Sequence, residues 1–198
     1  MKPFLRDIPI ADAHHHLWDL EANPYPWLTG PVHKTFFLGD YSALKRNYLP
    51  ADYRRDAAEH NVRWTVHVEA EWDRDDQVGE TRWVSGVADR EGMPSVIVAH
   101  AWFDDPQVER VLEAHTAHAR TRGIRSKPAL PGSTEGRGRM DDPQWRRGYA
   151  LLARYGLRWD LRVPVAQLRE AAGLVGDFPD IPVDRKSTRL NSSHQIIS

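Results

Sequence analysis

The chain has 198 residues, of which 40% are hydrophobic and 28% charged, and its formal net charge is −1. This composition is typical of a soluble globular protein with a hydrophobic core. The sequence contains no cysteine, which excludes disulfides, thiolate metal sites and cysteine nucleophiles.

Charge and hydropathy also limit the partners and the compartment. Acidic and basic residues are interspersed, so we expect no nucleic-acid or membrane partner and a small molecule as the substrate. No hydrophobic run approaches the roughly 18 residues that span a bilayer, and the N-terminus lacks a secretory signal. We therefore expect a cytoplasmic protein, and the composition leaves its oligomeric state open.

Segments that resemble β-strands alternate along the chain with amphipathic segments that resemble helices. The predicted strands occupy residues 8–14, 64–70, 95–101, 123–127 and 157–163. The predicted helices occupy residues 51–60, 78–90, 107–122, 143–155 and 165–174. Strands and helices that repeat about every 30 residues are typical of βαβ units on a parallel sheet.

The residues after the first predicted strand distinguish between two common folds with parallel strands, the open dinucleotide-binding sheet and the closed barrel. They include His14, His15 and His16, where a dinucleotide-binding sheet would have glycines. We therefore predict an α/β protein of the (β/α)₈ TIM-barrel class. A barrel of this class takes about 250 residues, so five βα units describe an incomplete barrel that lacks strands six to eight. We expect such an open sheet to be poorly soluble and inactive.

The C-terminal segment differs in character from the rest. One reading frame of a common short-read sequencing adapter encodes residues 184–194 residue for residue. We interpret residues 1–183 as the N-terminal part of the barrel and residues 184–198 as a non-native, disordered tail. An ordinary polar tail is the alternative.

The strongest chemical signal lies at the end of the first predicted strand. Side chains alternate along a strand, so we expect His14 and His16 on one face and His15 on the other. Two converging imidazoles at the carboxyl end of a barrel strand suit a divalent metal such as zinc or manganese. Asp12 lies on the same face, where it could orient a histidine. A solvent-exposed histidine cluster is the alternative.

Polar residues near the ends of later strands are further candidates. We predict Glu69 and His100 as catalytic residues because of this position. Arg125 is predicted to bind a substrate carboxylate through two guanidinium nitrogens, with pairing to an acidic surface residue as the alternative. The histidines in predicted helices, including His115, are expected at the surface.

A long insertion rich in proline and aromatic residues follows the first strand, at residues 20–50. It is predicted to be an ordered loop at the catalytic mouth, in which Trp18 and Trp27 form walls of the substrate pocket. Packing of the same aromatic residues on the barrel rim is the alternative.

In order along the chain, these motifs resemble the amidohydrolase-2 branch of the amidohydrolase superfamily, and within it the TIM-barrel lactonases. The resemblance is carried by residues 12–19, 25–28, 48–53, 66–70 and 123–125. It implies a (β/α)₈ barrel that hydrolyses a lactone or a related ester or amide, with His14 and His16 as the His-x-His metal ligands. The family pattern also has a histidine on strand six and an aspartate on strand eight, which have no counterpart here. Some lactonases of this group work without a metal, so metal-independent catalysis stays open.

The residues and the resemblance together predict a metal-dependent-type hydrolase that opens a small carboxylated lactone. Other branches of the family carry out non-oxidative decarboxylation, which is the first alternative. A non-catalytic protein that binds a metal or another ligand is the second.

Overall fold

The structure is a computed structural model that describes residues 7–32, 39–130 and 136–185. Over the described residues it divides into two compact units, and the boundary falls after Val96, the first residue of the third strand, which is described with the second unit. Most of the predicted non-native tail, residues 186–198, lies outside the described residues.

The first unit is built on two strands that pair in parallel. In chain order its elements are β1 (Ile10–His15), α1 (Pro26–Thr29), a 3-10 helix (Ser42–Leu44), α2 (Pro50–Asp56), β2 (Val62–Val68) and α3 (Gly79–Glu91). Ile10 lies opposite Val62 and His15 opposite His67. The carboxyl ends of parallel strands meet at one edge of a sheet, so residues that follow His15 and Val68 are brought together.

The second unit repeats the alternation of strand and helix. Its elements are β3 (Val96–His100), α4 (Val108–Thr116), β4 (Thr121–Arg125), α5 (Pro143–Arg154), β5 (Arg158–Asp160), a 3-10 helix (Val165–Gln167), α6 (Leu168–Asp177) and β6 (Val183–Asp184). Each of these strands pairs in parallel with the next. Over the described part of the chain, no helix is both long enough and apolar enough to cross a membrane.

The parallel strands and intervening helices confirm the α/β class and the incomplete TIM barrel, with two differences. A short sixth strand is present, because Val183 pairs with Trp159 and Asp184 with Asp160. The expectation that strand six is entirely missing was therefore wrong. The predicted helix 107–122 was too long, since the chain from Thr121 onward pairs with β3 as strand β4.

Helix α5 packs so closely on the segment after β3 that one position admits only glycine. A Cβ atom added to Gly148 would lie 2.0 Å from the carbonyl oxygen of Phe103. The rings of Trp145 and Tyr149, which belong to the same helix, lie 5.0 and 5.7 Å from the Phe103 ring. The close approach of the two backbones thus positions the aromatic core of the second unit.

We expect Gly148→Ala to lower the free energy of unfolding by about 3 kcal/mol, because the backbone must move to admit the methyl group. Gly173→Ala in α6 is the control, since a Cβ there meets no atom within 4 Å. The control should be neutral or up to about 1 kcal/mol stabilising. Chemical denaturation measures both values, and equal stabilities would contradict the packing.

Candidate active site

The two histidines predicted as metal ligands lie at the carboxyl end of β1 and approach each other. Nε2 of His14 is 3.3 Å from Nε2 of His16, and the two rings are nearly perpendicular, with centroids 5.0 Å apart. His15 packs elsewhere, with its ring centroid 4.8 Å from that of Tyr53 and 5.9 Å from that of His67. The predicted convergence of His14 and His16 is therefore present.

A backbone carbonyl fixes the ring of His16. Its Nδ1 lies 2.7 Å from the carbonyl oxygen of Val68, the last residue of β2. A carbonyl oxygen can only accept, so Nδ1 carries the proton and Nε2 presents a lone pair toward His14. Histidines that bind metals are commonly oriented by such a bond from their second nitrogen.

The geometry of the pair fits a bound metal ion. A tetrahedral zinc ion about 2.0–2.1 Å from two imidazole nitrogens holds those nitrogens roughly 3.3 Å apart, which is the separation in the structure. Catalytic zinc usually has three protein ligands. Within the described ranges, no group of three or more His, Cys, Asp or Glu side chains is arranged to hold a metal. His14 and His16 therefore fit as two ligands of a site that needs more.

Asp12 does not orient an imidazole ring, contrary to expectation. Its Oδ1 accepts the backbone N–H of His14 at 3.0 Å, and its Oδ2 accepts the hydroxyl of Tyr53 at 2.7 Å. The carboxylate instead fixes the backbone of β1 just before the histidine pair and links it to α2.

A buried carboxyl group that the sequence analysis did not select lies behind the ends of β1 and β2. Oε1 of Glu80 accepts three hydrogen bonds, from Nε2 of His67 at 3.2 Å, the Tyr25 hydroxyl at 3.3 Å and the Ala70 N–H at 2.9 Å. Nδ1 of His67 accepts the Leu17 N–H at 3.2 Å, which assigns the ring proton to Nε2. In the sequence, Glu80 looks like an ordinary acidic residue in the first turn of a helix.

Glu80 is expected to make stability depend on pH. Burial, and after it the charge of Glu69, raise the pKa of Glu80 from 4.5 to about 8. Between pH 4.5 and 8 the unfolded chain has therefore lost this proton, while the folded chain keeps it. The contribution to stability is complete below pH 4.5 and falls as the pH rises, by roughly 1.4 kcal/mol per pH unit.

Glu80→Gln should remove this part of the pH dependence of the free energy of unfolding, since an amide does not titrate. Denaturation of both proteins at several values between pH 4.5 and 8 measures the difference in slope. A variant with the same slope as the parent would contradict the assignment.

The buried side chain of His15 is expected to lower the free energy of unfolding. Both of its ring nitrogens are buried and lack a hydrogen-bond partner among the described residues, and burial lowers its pKa to about 3, so the ring is neutral at physiological pH. A neutral imidazole keeps one N–H, and an unpaired buried donor costs about 1–3 kcal/mol. His15→Phe should therefore raise the free energy of unfolding by about 1–2 kcal/mol, whereas His60→Phe at an exposed position should not. A less stable His15→Phe protein would refute this account.

Glu69 is buried and bound to its own neighbours. Its Oε2 lies 3.1 Å from Nη2 of Arg74 and accepts the N–H of Glu71 at 3.2 Å. Arg74 also pairs with the carboxylate of Glu71, whose φ of 62° is rare for a residue other than glycine. The catalytic role of Glu69 stays a prediction.

In the second unit, His100 ends β3 and is buried. Its Nδ1 lies 3.1 Å from the carbonyl oxygen of Arg125, and its ring packs edge-on against Trp102 at 4.4 Å. The carbonyl of His100 accepts Nε2–H of His115 at 2.8 Å. His115 is fully buried, so the expectation that it lies at the surface was wrong, because its imidazole ties α4 to β3. The catalytic role of His100 stays a prediction.

Arg125 is buried at the end of β4 and paired with an acidic residue. Its Nε and Nη2 donate to Oδ1 of Asp160, at 3.1 and 3.0 Å. Asp160 ends β5, so the acidic partner belongs to a strand rather than to the surface. The pairing that we considered as the alternative is thus present, and the binding of a substrate carboxylate by Arg125 stays a prediction.

Trp18 and Trp27 belong to an aromatic cluster in the first unit. The Trp18 indole donates to the carbonyl of Arg46 at 2.7 Å, and the Trp27 indole donates to the carbonyl of Ala70 at 2.8 Å. Their rings meet at 6.2 Å, and Trp18 also stacks on His16 at 6.3 Å. These contacts agree with the alternative in which both tryptophans pack on the barrel rim, and Trp18 covers one face of the His16 ring. Their contact with a substrate stays a prediction.

Comparison with known proteins identifies the family. A family model described as amidohydrolase matches residues 11–183. The chain belongs to the amidohydrolase family. A relative, the uncharacterized protein y4mH of Sinorhizobium fredii, is 40% identical over 186 residues, which cover 90% of this chain and 62% of that protein. This amidohydrolase chain therefore spans less than two thirds of the length of its relative.

Solved structures share the fold. An amidohydrolase from Burkholderia multivorans with bound zinc matches with a TM-score of 0.66 and 22% identity, over 88% of this chain and 56% of that chain. A probable 2-pyrone-4,6-dicarboxylic acid hydrolase from Acinetobacter baumannii has a TM-score of 0.61 and 12% identity, over 88% and 57%. The 2,6-dihydroxybenzoate decarboxylase from Rhizobium has a TM-score of 0.61 and 14% identity, over 88% and 65%. These findings confirm the predicted family and the incomplete barrel.

Proposed function

We propose that the full-length amidohydrolase containing this chain hydrolyses a small carboxylated lactone at the His14/His16 pair. The observation that carries the proposal is the 3.3 Å separation of the two Nε2 atoms at the carboxyl end of β1. Hydrolysis of a lactone builds negative charge on the carbonyl oxygen, and groups fixed in advance around that oxygen lower the barrier. The hydrolase from Acinetobacter baumannii supports a carboxylated substrate, because its name specifies a pyrone dicarboxylic acid.

Each residue of the pair has a defined part. A divalent metal such as zinc or manganese would be held by Nε2 of His14 and of His16, and it would supply Lewis-acid polarisation of the lactone carbonyl or of water. His16 donates its Nδ1–H to the Val68 carbonyl, and this hydrogen bond orients its ring. Trp18, stacked on His16, shields the pair from water on one side. Arg125 is proposed to orient the carboxylate of the substrate.

Assay of the full-length protein against a panel of carboxylated lactones tests the proposal. Opening of the ring consumes one water and yields a hydroxy acid, which a pH indicator detects. The result expected is acid formation without carbon dioxide. Carbon dioxide from dihydroxybenzoates without ring opening would establish the decarboxylase alternative instead, and binding without turnover would establish a non-catalytic protein. Within the described residues the histidine pair supplies two ligands, where a catalytic zinc usually has three, so we expect the 198-residue chain alone to be inactive.

A further inference from the structure

We propose that Glu80 is a positioning residue for the histidine pair, which it controls through His67 and through the backbone at the ends of β1 and β2. Its effect on catalysis rests on the proposed function, whereas its effect on the His16 ring does not. Glu80 is the second residue of α3 and is 6% exposed, so it acts from behind the site rather than on a substrate.

Both backbone polar groups of Leu17, the residue directly after His16, contact side chains that Glu80 holds. The Leu17 N–H donates to His67, whose Nε2 donates to Oε1 of Glu80. The Leu17 carbonyl oxygen lies 3.4 Å from the Tyr25 hydroxyl, which is 3.3 Å from the same Oε1. The Tyr25 hydroxyl has a single proton, which it donates to Oε1 of Glu80, so the hydrogen bond that holds the chain as it leaves β1 is the one from the Leu17 N–H to His67.

The same oxygen also fixes the end of β2, since it accepts the Ala70 N–H at 2.9 Å. The hydrogen bond from His16 to the Val68 carbonyl joins these two strand ends. That bond sets the tautomer and the direction of the His16 ring, so it depends on how far the end of β1 lies from the end of β2. Loss of the shared acceptor should therefore release the His16 ring and disturb its approach to His14.

The start of α3 holds the carboxyl group in place. A Cβ atom added to Gly79 would lie 2.6 Å from Nε1 of Trp72 and would overlap the Asp76 carboxylate, so the helix begins in close contact with the preceding loop. The role requires an acceptor, because Oε1 of Glu80 accepts in all three of its hydrogen bonds. Glutamine at this position should therefore keep the role of Glu80, whereas leucine, which is of similar size but has no acceptor, should lose it.

Two measurements on the metal-free full-length protein test the proposal. Calorimetric titration with zinc alone gives the metal affinity, and ¹⁵N NMR of the histidine rings gives the tautomer of His16, identified by comparison with His16→Gln. For Glu80→Leu we expect zinc affinity to fall about 10- to 100-fold and the His16 signal to show a mixture of tautomers. The zinc affinity of Glu80→Gln should stay within about threefold of the parental value, a smaller change than the loss of a supporting contact causes.

Thr65→Val is the matched control, because the buried Thr65 hydroxyl on β2 has no hydrogen-bond partner in the described part of the chain. It should change neither measurement. Parental zinc affinity and a single His16 tautomer in Glu80→Leu would overturn the proposal.

If Glu80→Leu does not fold, His67→Phe carries the test, since it removes the acceptor of the Leu17 N–H and keeps an aromatic ring at this position. A lower zinc affinity and a mixture of His16 tautomers in His67→Phe would support the proposal, and an unchanged His16 signal would overturn it. The NMR measurement needs neither zinc nor turnover. A protein that opens no lactone but loses the His16 tautomer in Glu80→Leu would refute the proposed function and leave the positioning role intact.

Discussion

Replacing His14 or His16 by alanine is expected to lower kcat/KM of the full-length protein for its lactone by about 10³-fold, the size of effect seen when a group that stabilises the oxyanion is removed. The two Nε2 atoms are 3.3 Å apart, so either substitution dismantles the pair. The double variant should be little worse than either single variant, because residues that act as a unit are not additive.

Initial rates at subsaturating lactone measure this loss. The exposed His60 supplies the control, since His60→Ala should keep the parental rate. Circular dichroism and thermal melts establish that each variant is folded. Parental turnover in either alanine variant at the pair would show that the chemistry lies elsewhere.

Asp160→Ala is expected to lower the free energy of unfolding by about 3–5 kcal/mol, the usual cost of removing one partner of a buried ion pair. The substitution leaves the Arg125 guanidinium buried without the carboxylate that accepts from its Nε and Nη2. A buried charge that loses hydrogen-bond acceptors is costly because the protein interior solvates it less well than water does.

An exposed ion pair of the same chemistry is the control. Arg139 and Asp141 form a close pair at the surface, and Asp141→Ala should cost less than about 1 kcal/mol. The double variant Arg125→Met with Asp160→Leu should recover most of the lost stability, since it removes both charges. Urea denaturation gives all three values, and equal losses in the two aspartate variants would refute a buried pair.

The sequence predicts the elements of this fold and the histidine pair because both depend on local pattern. Apolar runs separated by amphipathic segments specify parallel strands and helices. Alternation along β1 places His14 and His16 together whatever surrounds them. The same reasoning fails for Asp12, whose carboxylate binds the backbone of His14 and the hydroxyl of Tyr53 instead of an imidazole.

Contacts between distant segments decide what the sequence could not show. Glu80 meets Tyr25 from 55 residues away, and Arg125 meets Asp160 from 35 residues away. His115 occupies a helical pattern typical of a surface residue, yet it is buried because the carbonyl of His100 accepts its N–H. No local periodicity encodes such pairings, which appear only once the strands and helices are packed.

A crystal structure of the full-length protein with the ring-opened hydroxy acid and zinc tests the central claim most directly. The account predicts Nε2 of both His14 and His16 about 2.0–2.1 Å from zinc, or within hydrogen-bond distance of the new carboxylate if zinc is absent. It also predicts that Nδ1 of His16 stays on the Val68 carbonyl. A product bound away from this pair, with the two rings turned apart, would contradict it.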